Sequence, residues 1–357
     1  MARLRLCNVN KTYFGGYIGA KNVSFEVGEG EIITILGGER SGKTSILKLI
    51  SSLESPTSGT ITIDGRDVSK IGEEELNITF ATYDLPLFGT KSVGYNLQYP
   101  LSIRKVDKEK IDSRVASIAS LFDIDMLLDE HVRYLSPSLK ARVMLARAFM
   151  RESDFYLFDN ILRDFSIADR EDALEILSSI LCHVRGGVIF ATDRVEEVSL
   201  VGGDDLVVLS GGEMLDRGAI GTLYRDANAL ETMRLLSRGT YNELITRVEK
   251  DARGYYVNAL ARHDIEIDDV YSGKDIIVAF PMENVYMDER GTAGIVTKIY
   301  RSTWSDVVRV AVGDIEIFLS TSSGILREGV DVSLGVRDIL LYDIRSERRI
   351  IGSRAIN

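Results

Sequence analysis

The sequence is poor in several residue types that mark particular classes of protein. Its only two cysteines, Cys7 and Cys182, lie far apart without a C-x-x-C partner, which excludes a disulfide framework and predicts two buried thiols in a reducing compartment. Its three histidines show no metal-ligand spacing. No apolar run reaches about 18 residues, the length of a membrane span, so any membrane role is peripheral.

Positive charge is also in deficit. Lysine and arginine total 43 against 54 aspartate and glutamate residues, and the net charge of −11 argues against nucleic acid as a main ligand. Apolar residues nevertheless make up 45% of the chain and charged residues 27%, a composition typical of globular proteins. A length of 357 residues is too great for one ordinary domain and predicts two.

The two predicted domains differ in their patterns of apolar residues. Residues 1–236 alternate short apolar runs with helical patterns, which predicts an α/β domain with strands at 4–9, 22–27, 31–36, 59–63, 77–82, 155–158 and 187–192 and helices at 45–53, 108–122 and 168–182. Residues 237–357 contain short apolar segments separated by Gly, Asp and Ser, which predicts a small β-barrel domain with strands at 275–280, 294–300, 307–312, 314–319 and 330–334.

A phosphate-binding loop follows the predicted strand at 31–36. Its residues fit G-x-x-x-x-G-K-[ST] without a mismatch and are Gly37, Gly38, Glu39, Arg40, Ser41, Gly42, Lys43 and Thr44, with Ser45 next in the helix. Successive backbone N–H groups in such a loop point at phosphate oxygens, Lys43 reaches the β- and γ-phosphates, and Thr44 offers a hydroxyl to Mg²⁺. Asp159, at the end of a buried strand, supplies a second Mg²⁺ ligand. The sequence therefore predicts ATP and Mg²⁺ as ligands.

With these motifs, the segment from about residue 4 to 236 resembles the nucleotide-binding subunits of ABC transporters. The resemblance implies a P-loop NTPase domain of ABC type with a helical subdomain at about 84–140, and it implies that Tyr13 stacks on adenine. The family signature L-S-G-G-Q corresponds here to Leu-Ser-Pro-Ser-Leu. Ser136, Pro137 and Ser138 are then the residues that would face the nucleotide of a second subunit.

The sequence departs from the family pattern at the positions that carry hydrolysis. Tyr83 stands at the position of the usual glutamine, Asn160 at that of the glutamate base and Asp193 at that of the switch histidine. Because Asn cannot accept a proton from water, we expect ATP to be held and hydrolysis to be weak or absent, with no confident catalytic residue. The alternative is a working ATPase in which Asp193 or Glu196 replaces the base.

The C-terminal segment resembles the paired barrel halves, of OB-like (TOBE/MOP) type, of importer ATPases for sugars, glycerol and sugar phosphates. The resemblance rests on residues 291–300 and on Leu-Gly-Val-Arg at 334–337, although Asp338 replaces the usual Pro-Glu. Sulfate, polyamine and iron importers carry related tails. The family uses this domain for dimerisation and regulation. Trp304, within it, is interpreted as a barrel-surface or dimer contact and less readily as a ligand platform.

The resemblance also implies partners and location. It predicts a subunit at the cytoplasmic face of the membrane, paired with a second, active ATPase subunit and docked on two membrane permeases through the cleft beside residues 84–134. An extracytoplasmic solute-binding protein would act on it indirectly. Two alternatives stay open: an active homodimeric importer ATPase, and a soluble ATP-sensing regulator of ABC ancestry. The sequence does not name the solute.

Overall fold

The protein was analysed as a computed structural model that describes residues 2–72, 75–181, 183–203, 205–237, 239–302 and 305–350, and the backbone of 354–356. Cys182 and Trp304, which carried sequence-based predictions, lie outside the described residues. The chain divides into two compact units, Met1–Ala219 and Ile220–Asn357. This division precedes the predicted boundary at 236/237.

The first unit combines strands and helices in alternation. Its strands are β1 (Arg3–Thr12), β2 (Ile18–Gly28), β3 (Ile32–Leu36), β4 (Ser58–Ile63), β5 (Arg66–Asp67), β6 (Ile78–Thr82), β7 (Phe155–Asp159), β8 (Gly187–Thr192), β9 (Asp205–Ser210) and β10 (Glu213–Gly218). Its α-helices are α1 (Lys43–Ile50), α2 (Val93–Ser102), α3 (Lys108–Leu121), α4 (Pro137–Ala148), α5 (Ile167–Leu181) and α6 (Val195–Val201). Short 3₁₀ turns occupy Val68–Lys70, Asp125–Leu127 and Val132–Tyr134.

The central sheet has the strand order β10-β9-β3-β8-β7-β6, parallel except for β10. Side chains alternate between its two faces. In β7, Phe155 and Leu157 join the core shared with α1, β1 and β2, whereas Tyr156 and Phe158 join the core shared with α2 to α5. Burial on both faces explains the continuous apolar runs in the sequence, and the predicted α/β domain is confirmed.

The carboxyl ends of the parallel strands meet at one edge of this sheet. Leu36 pairs with Thr192, Asp159 with Ala191, and Thr82 with Asp159. The loop after β3, the turn after β7 and the segment after β8 therefore emerge side by side. This edge is where ligands bind in open α/β sheets.

A second, antiparallel sheet of order β2-β1-β4-β5 covers part of the core. In β1 the side chains of Leu4, Leu6 and Val9 point into the core. Cys7 lies on the opposite face and is exposed, so the prediction of a buried thiol at this position is wrong. The strand alternates, and Cys7 falls out of phase with its apolar neighbours.

The second unit begins with two helices, α7 (Ile220–Asp226) and α8 (Leu230–Ser237). Their apolar residues pack with strand residues of the same unit, including Leu230 and Met233 against Tyr241 and Tyr342, which is why the division precedes them. The strands are β11 (Tyr241–Arg247), β12 (Glu249–Asp251), β13 (Gly254–Ala259), β14 (Ala261–Glu266), β15 (Asp275–Pro281), β16 (Val285–Tyr300), β17 (Ser305–Val312), β18 (Ile315–Ser322), β19 (Asp331–Val336), β20 (Leu340–Asp343) and β21 (Arg354–Ile356). Short 3₁₀ turns lie at Asp269–Tyr271 and Met282–Asn284.

These strands form antiparallel sheets of order β11-β15-β20, β12-β13-β14-β21 and β18-β17-β16-β19 around one apolar cluster. The all-β C-terminal region predicted from the sequence is confirmed. Strands β11 to β14 were not predicted. Charged residues dominate β12 and recur in β14, and β13 has no charged residue but alternates weakly. Within the described ranges, no helix is long and apolar enough to cross a membrane.

Candidate nucleotide site

The glycine loop between β3 and α1 is held in a shape that only glycine permits at two positions. Gly42, which precedes α1, has φ of 104°, and a Cβ atom there would lie 2.5 Å from the carbonyl oxygen of Gly19. At Gly37 a Cβ would lie 2.5 Å from the carbonyl oxygen of Leu209. The Gly37 N–H donates to the Thr192 carbonyl at 3.2 Å, which fastens the loop to the end of β8.

Lys43 folds back over this loop. Its Nζ donates to the carbonyl oxygens of Gly37 (2.6 Å) and Gly38 (2.8 Å) and to Ser41 Oγ (3.1 Å), and only 5% of the residue is exposed. Burial lowers the pKa of the ammonium group, against the opposing charges of Asp193 and Asp159. A phosphate placed at the loop would offer this buried cation a charged partner in place of neutral carbonyls.

Asp159 ends β7 beside the start of α1 and is 1% exposed. Its Oδ1 has no hydrogen-bond partner among the described residues. Burial raises the pKa of Asp159, although the Thr44 side chain and the Lys43 charge both lower it. A buried carboxylate oxygen without a partner, next to a threonine hydroxyl, fits a hard cation that takes oxygen ligands, so the residues present suit Mg²⁺.

A polar cavity of about 220 Å³ lies over the loop. It is lined by residues 39–45 together with Tyr17, Tyr83, Asn160, Arg163 and Asp193. The structure therefore brings Tyr83, Asn160 and Asp193, from the ends of three different strands, to the same cavity as Lys43 and Thr44. Among the described residues, no group of three or more His, Cys, Asp or Glu side chains could hold a metal ion.

The residue after Asp159 has an unusual backbone. Asn160 has φ of 46°, a left-handed conformation that Asn adopts more readily than Glu does. Its N–H donates to the Ala191 carbonyl at 2.9 Å, and its carbonyl accepts from the Arg163 N–H at 2.9 Å. This turn buries Ile161 and Leu162 in the core, at 2% and 1% exposure, and leaves Asn160 and Arg163 at the cavity.

Arg163 lines the cavity and contacts Tyr83, and this contact was not predicted from the sequence. Its Nη1 donates to the Tyr83 hydroxyl at 3.1 Å, and its guanidinium lies 5.0 Å from the centre of the Tyr83 ring. The sequence showed only that Arg163 stands in the segment between β7 and α5. Nothing in its spacing from Tyr83, 80 residues earlier, predicts that the two side chains meet.

Asp193 follows β8 and is an acidic residue of the cavity lining, as is Glu39. It lies 3.8 Å from Arg194 Nε, and 38% of its side chain is exposed. Behind it, the buried Glu197 accepts from Thr192 Oγ1 at 2.6 Å and lies 3.6 Å from Arg170. Burial raises the pKa of Glu197, which the Thr192 bond and the Arg170 charge oppose.

Tyr13, the predicted adenine platform, lies at the rim of this region. Its hydroxyl donates to Glu54 Oε2 at 2.7 Å and lies 3.1 Å from Ser45 Oγ. Its ring centre is 5.7 Å from that of Tyr17, and Tyr17, unlike Tyr13, lines the cavity. Sequence reasoning passed over Tyr17, although a second aromatic residue four positions later was a usable signal.

The predicted signature residues lie at the exposed start of α4. Ser136 caps this helix by accepting from the Leu139 N–H at 3.3 Å, and Pro137 occupies its first turn. The Ser138 hydroxyl donates to Asp172, which also accepts from Arg142 at 2.8 and 3.1 Å. The helix start is thus capped by Ser136, and Ser136 and Pro137 are exposed there.

A second, largely apolar groove of about 570 Å³ lies on the same unit. It is bounded by β6, the loop at 85–88, α2 and α4, and its lining includes Leu85, Phe88, Tyr99 and Met144. Arg147 donates to the carbonyl oxygens of Leu85 and Pro86, which fixes the loop against α4. This groove coincides with the cleft that the sequence predicted beside residues 84–134.

Comparison with known proteins shows which family part of the chain is similar to. Residues 20–163 match the family model described as ABC transporter, a range that includes the glycine loop, Asp159 and Arg163. This part of the chain is a domain similar to the ABC transporter family. The solved structure of cbiO1 from Clostridium perfringens, part of the ABC transporter complex cbiONQ, matches 62% of this chain and 94% of its own with a TM-score of 0.55 and 22% identity. That likeness concerns the fold of the matched part alone.

Curated relatives share this domain. The sn-glycerol-3-phosphate import ATP-binding protein UgpC of Brucella abortus (strain 2308) is 32% identical over 225 residues, 63% of this chain and 64% of the relative. The protein of the same name from Rhizobium meliloti (strain 1021) is 33% identical over 227 residues, again 63% of this chain and 64% of the relative. The chain therefore matches less than two thirds of the length of these relatives.

Proposed function

We propose that the ABC transporter domain binds Mg-ATP at the cavity over the glycine loop. The observation that carries this proposal is the buried Asp159 carboxylate, whose Oδ1 has no hydrogen-bond partner among the described residues, beside Thr44 and Lys43. An unpaired buried carboxylate is costly unless a ligand satisfies it. Mg²⁺, when bound, neutralises phosphate charge and is held by Thr44 and Asp159.

The chain's own residues would bind the nucleotide without large rearrangement. The N–H groups of the glycine loop accommodate phosphate oxygens at the start of α1, and Lys43 exchanges its carbonyl partners for the β- and γ-phosphates. The base would stack on Tyr13, on Tyr17 or between them, since the two rings are 5.7 Å apart.

Hydrolysis by this site is proposed to be weak. Tyr83 has no amide to orient water, the Asn160 side chain has no carboxylate to accept a proton, and Asp193 places a negative charge on the cavity wall. Loss of a positioned base alone removes roughly 10²–10⁴-fold in rate. The nucleotide would then act chiefly as a structural and regulatory ligand.

The proposed setting is an importer. The relatives named above are import ATP-binding proteins for sn-glycerol-3-phosphate, which favours glycerol phosphate, glycerol or a sugar as the transported solute. The apolar groove beside Leu85 and Phe88 would receive a short helix of a membrane permease. Two permeases would bind a pair of ATP-binding subunits at the cytoplasmic face of the membrane. A solute-binding protein would contact only the permeases.

The pairing partner is proposed to be a second, active ATPase. In a homodimer both sites would combine Asn160 with the altered signature at Ser136, Pro137 and Ser138. In a heterodimer the active subunit contributes its own base, and this chain contributes the capped start of α4 to that site. The C-terminal β unit would support dimerisation and regulation.

The nucleotide proposal is tested with the purified full chain. Calorimetric titration should show MgATP binding, and Lys43→Ala should abolish it. The control Lys110→Ala removes an exposed lysine of α3 and should leave the binding unchanged. Phosphate release should stay at background. Turnover well above background that Lys43→Ala removes would instead establish an active ATPase, in a homodimer if the chain pairs with itself.

The importer proposal is tested by recovery of partners from solubilised membranes. Tagged chain should recover permease subunits and a second ATPase, identified by mass spectrometry. Leu85→Asp should reduce that recovery, because Leu85 lines the groove and is 58% exposed. Leu53→Asp, at a residue 64% exposed outside the groove lining, is the matched control. ATP binding without any such partner would favour a soluble ATP-sensing regulator.

A further inference from the structure

The cavity lining outside the glycine loop contains a cation, Arg163, to which the sequence analysis assigned no ligand. Arg163 lies in the turn after β7, where Ile161 and Leu162 are anchored in the core and Arg163 itself is left exposed at the cavity. Its backbone N–H is bonded to the Asn160 carbonyl at 2.9 Å. The position of Arg163 is therefore fixed by the same turn that presents Asn160.

Tyr83 holds the Arg163 side chain from the neighbouring strand end. One guanidinium N–H donates to the Tyr83 hydroxyl at 3.1 Å while the group lies 5.0 Å from the ring centre. Guanidinium presents five N–H donors in a planar fork, so one bond to tyrosine leaves several donors free for an anion. The aromatic contact orients the fork without neutralising its charge.

The charges around the cavity favour an anion beside Arg163. Asp193 faces the same cavity and would repel a terminal phosphate. Both side chains affect the pKa of the Lys43 ammonium group. Burial lowers this pKa most; the Asp193 charge raises it and the Arg163 charge lowers it. An anion between the loop and the turn would relieve the repulsion between Lys43 and Arg163. Its attraction to these two cations would offset its repulsion by Asp193.

We propose that Arg163, oriented by Tyr83, binds the terminal phosphate of the nucleotide. This inference rests on the proposed binding of Mg-ATP and deepens it. Arg163 would act from within the same chain as a second phosphate-binding cation opposite Lys43, in the space where Tyr83, Asn160 and Asp193 replace the groups expected to contact that phosphate. A site built in this way distinguishes a nucleoside triphosphate from a diphosphate without hydrolysing it.

The test compares MgATP and MgADP binding to the full chain by calorimetric titration. Arg163→Gln should weaken MgATP binding by roughly tenfold or more, the effect of losing a charge-assisted phosphate contact, and should change MgADP binding less than about twofold. Arg163→Lys should retain part of the preference for MgATP, because charge is kept and the fork is lost. Tyr83→Phe should give a smaller loss of the same kind.

Controls separate this inference from the function on which it rests. Arg66→Gln removes the same charge from an exposed ion pair with Glu75 and should leave both affinities unchanged. If the unmodified chain binds neither nucleotide, or if Lys43→Ala binds as well as it does, the proposed function fails. If Lys43→Ala abolishes binding but Arg163→Gln changes both nucleotides equally or neither, only the role of Arg163 is overturned.

Discussion

Asn96 bonds to both backbone polar groups of Phe88. Its Oδ1 accepts from the Phe88 N–H at 2.7 Å, and its Nδ2 donates to the Phe88 carbonyl at 3.2 Å and to the Ser92 carbonyl at 2.9 Å. Asn96 is fully buried in α2, whereas Phe88 ends the loop that lines the apolar groove. One side chain thus replaces the strand or helix partners that this loop lacks.

Asn96→Ala is predicted to lower the free energy of unfolding by about 2–4 kcal/mol, because it removes three hydrogen bonds and leaves buried backbone groups without partners. Denaturant unfolding of the full chain measures the change. Gln98→Ala in the same helix is the control and should alter stability by less than about 0.5 kcal/mol. An equally small effect of Asn96→Ala would show that the loop is held by other contacts.

Asn160→Glu is predicted not to restore an ATPase. The left-handed backbone at position 160 destabilises glutamate by about 1 kcal/mol and asparagine much less. In addition, Tyr83 and Asp193 still replace the other groups expected for hydrolysis. We expect phosphate release to rise by less than about tenfold and the free energy of unfolding to fall by about 1 kcal/mol. Asn160→Gly, which tolerates this backbone, controls for the stability effect. A gain of about 10²–10⁴-fold in turnover would identify the missing base as the main defect.

Asp159→Asn is predicted to stabilise the chain in the absence of nucleotide and Mg²⁺. Burial raises the folded-state pKa of Asp159 above its unfolded value near 3.9, so this residue costs stability as pH rises through the folded-state pKa. The variant removes that cost. Its advantage in melting temperature should be greatest at neutral pH and should vanish below about pH 4.

Asp67→Asn supplies a control of opposite sign for the Asp159 experiment. Hydrogen bonds from Ser69 lower the pKa of the exposed Asp67 carboxyl, so its contribution is present above the unfolded value and disappears as pH falls through the folded-state value. Its substitution should therefore destabilise the chain slightly at neutral pH. A destabilising effect of Asp159→Asn at neutral pH would contradict our view that burial dominates at that carboxylate.

Asn242→Ala is predicted to weaken the second unit without changing nucleotide affinity. Asn242 is 1% exposed and joins β11 to β18 by accepting from the Phe318 N–H at 2.7 Å and donating to its carbonyl at 2.9 Å. Its loss should cost about 2–3 kcal/mol in that unit. Proteolysis under native conditions should then release fragments from residues 220–357, while calorimetry gives unchanged MgATP binding. A parallel loss of affinity would show that nucleotide binding depends on this unit.

Much of the candidate nucleotide site was predictable because its main parts are local. A strand, a glycine loop and a helix are contiguous at residues 32–50. The apolar run that ends at Asp159 is short and continuous, which is typical of a buried strand. Parallel pairing then brings Thr82, Asp159 and Thr192 to one edge. The weak alternation of β12 to β14 carried no comparable signal, so those strands went unpredicted.

By itself the sequence determined the glycine loop, the buried strand that ends at Asp159, and an α/β region followed by an all-β region. It also predicted phosphate and Mg²⁺ as ligands and the replacement of three expected catalytic side chains. Tertiary structure alone decided that Tyr17 lines the cavity, that Arg163 meets Tyr83, that Cys7 is exposed and that α7 and α8 belong to the second unit. The physical reason is range. Loop conformation and strand burial follow from neighbouring residues, whereas a contact between side chains 80 positions apart depends on how the strands that carry them are ordered in the sheet.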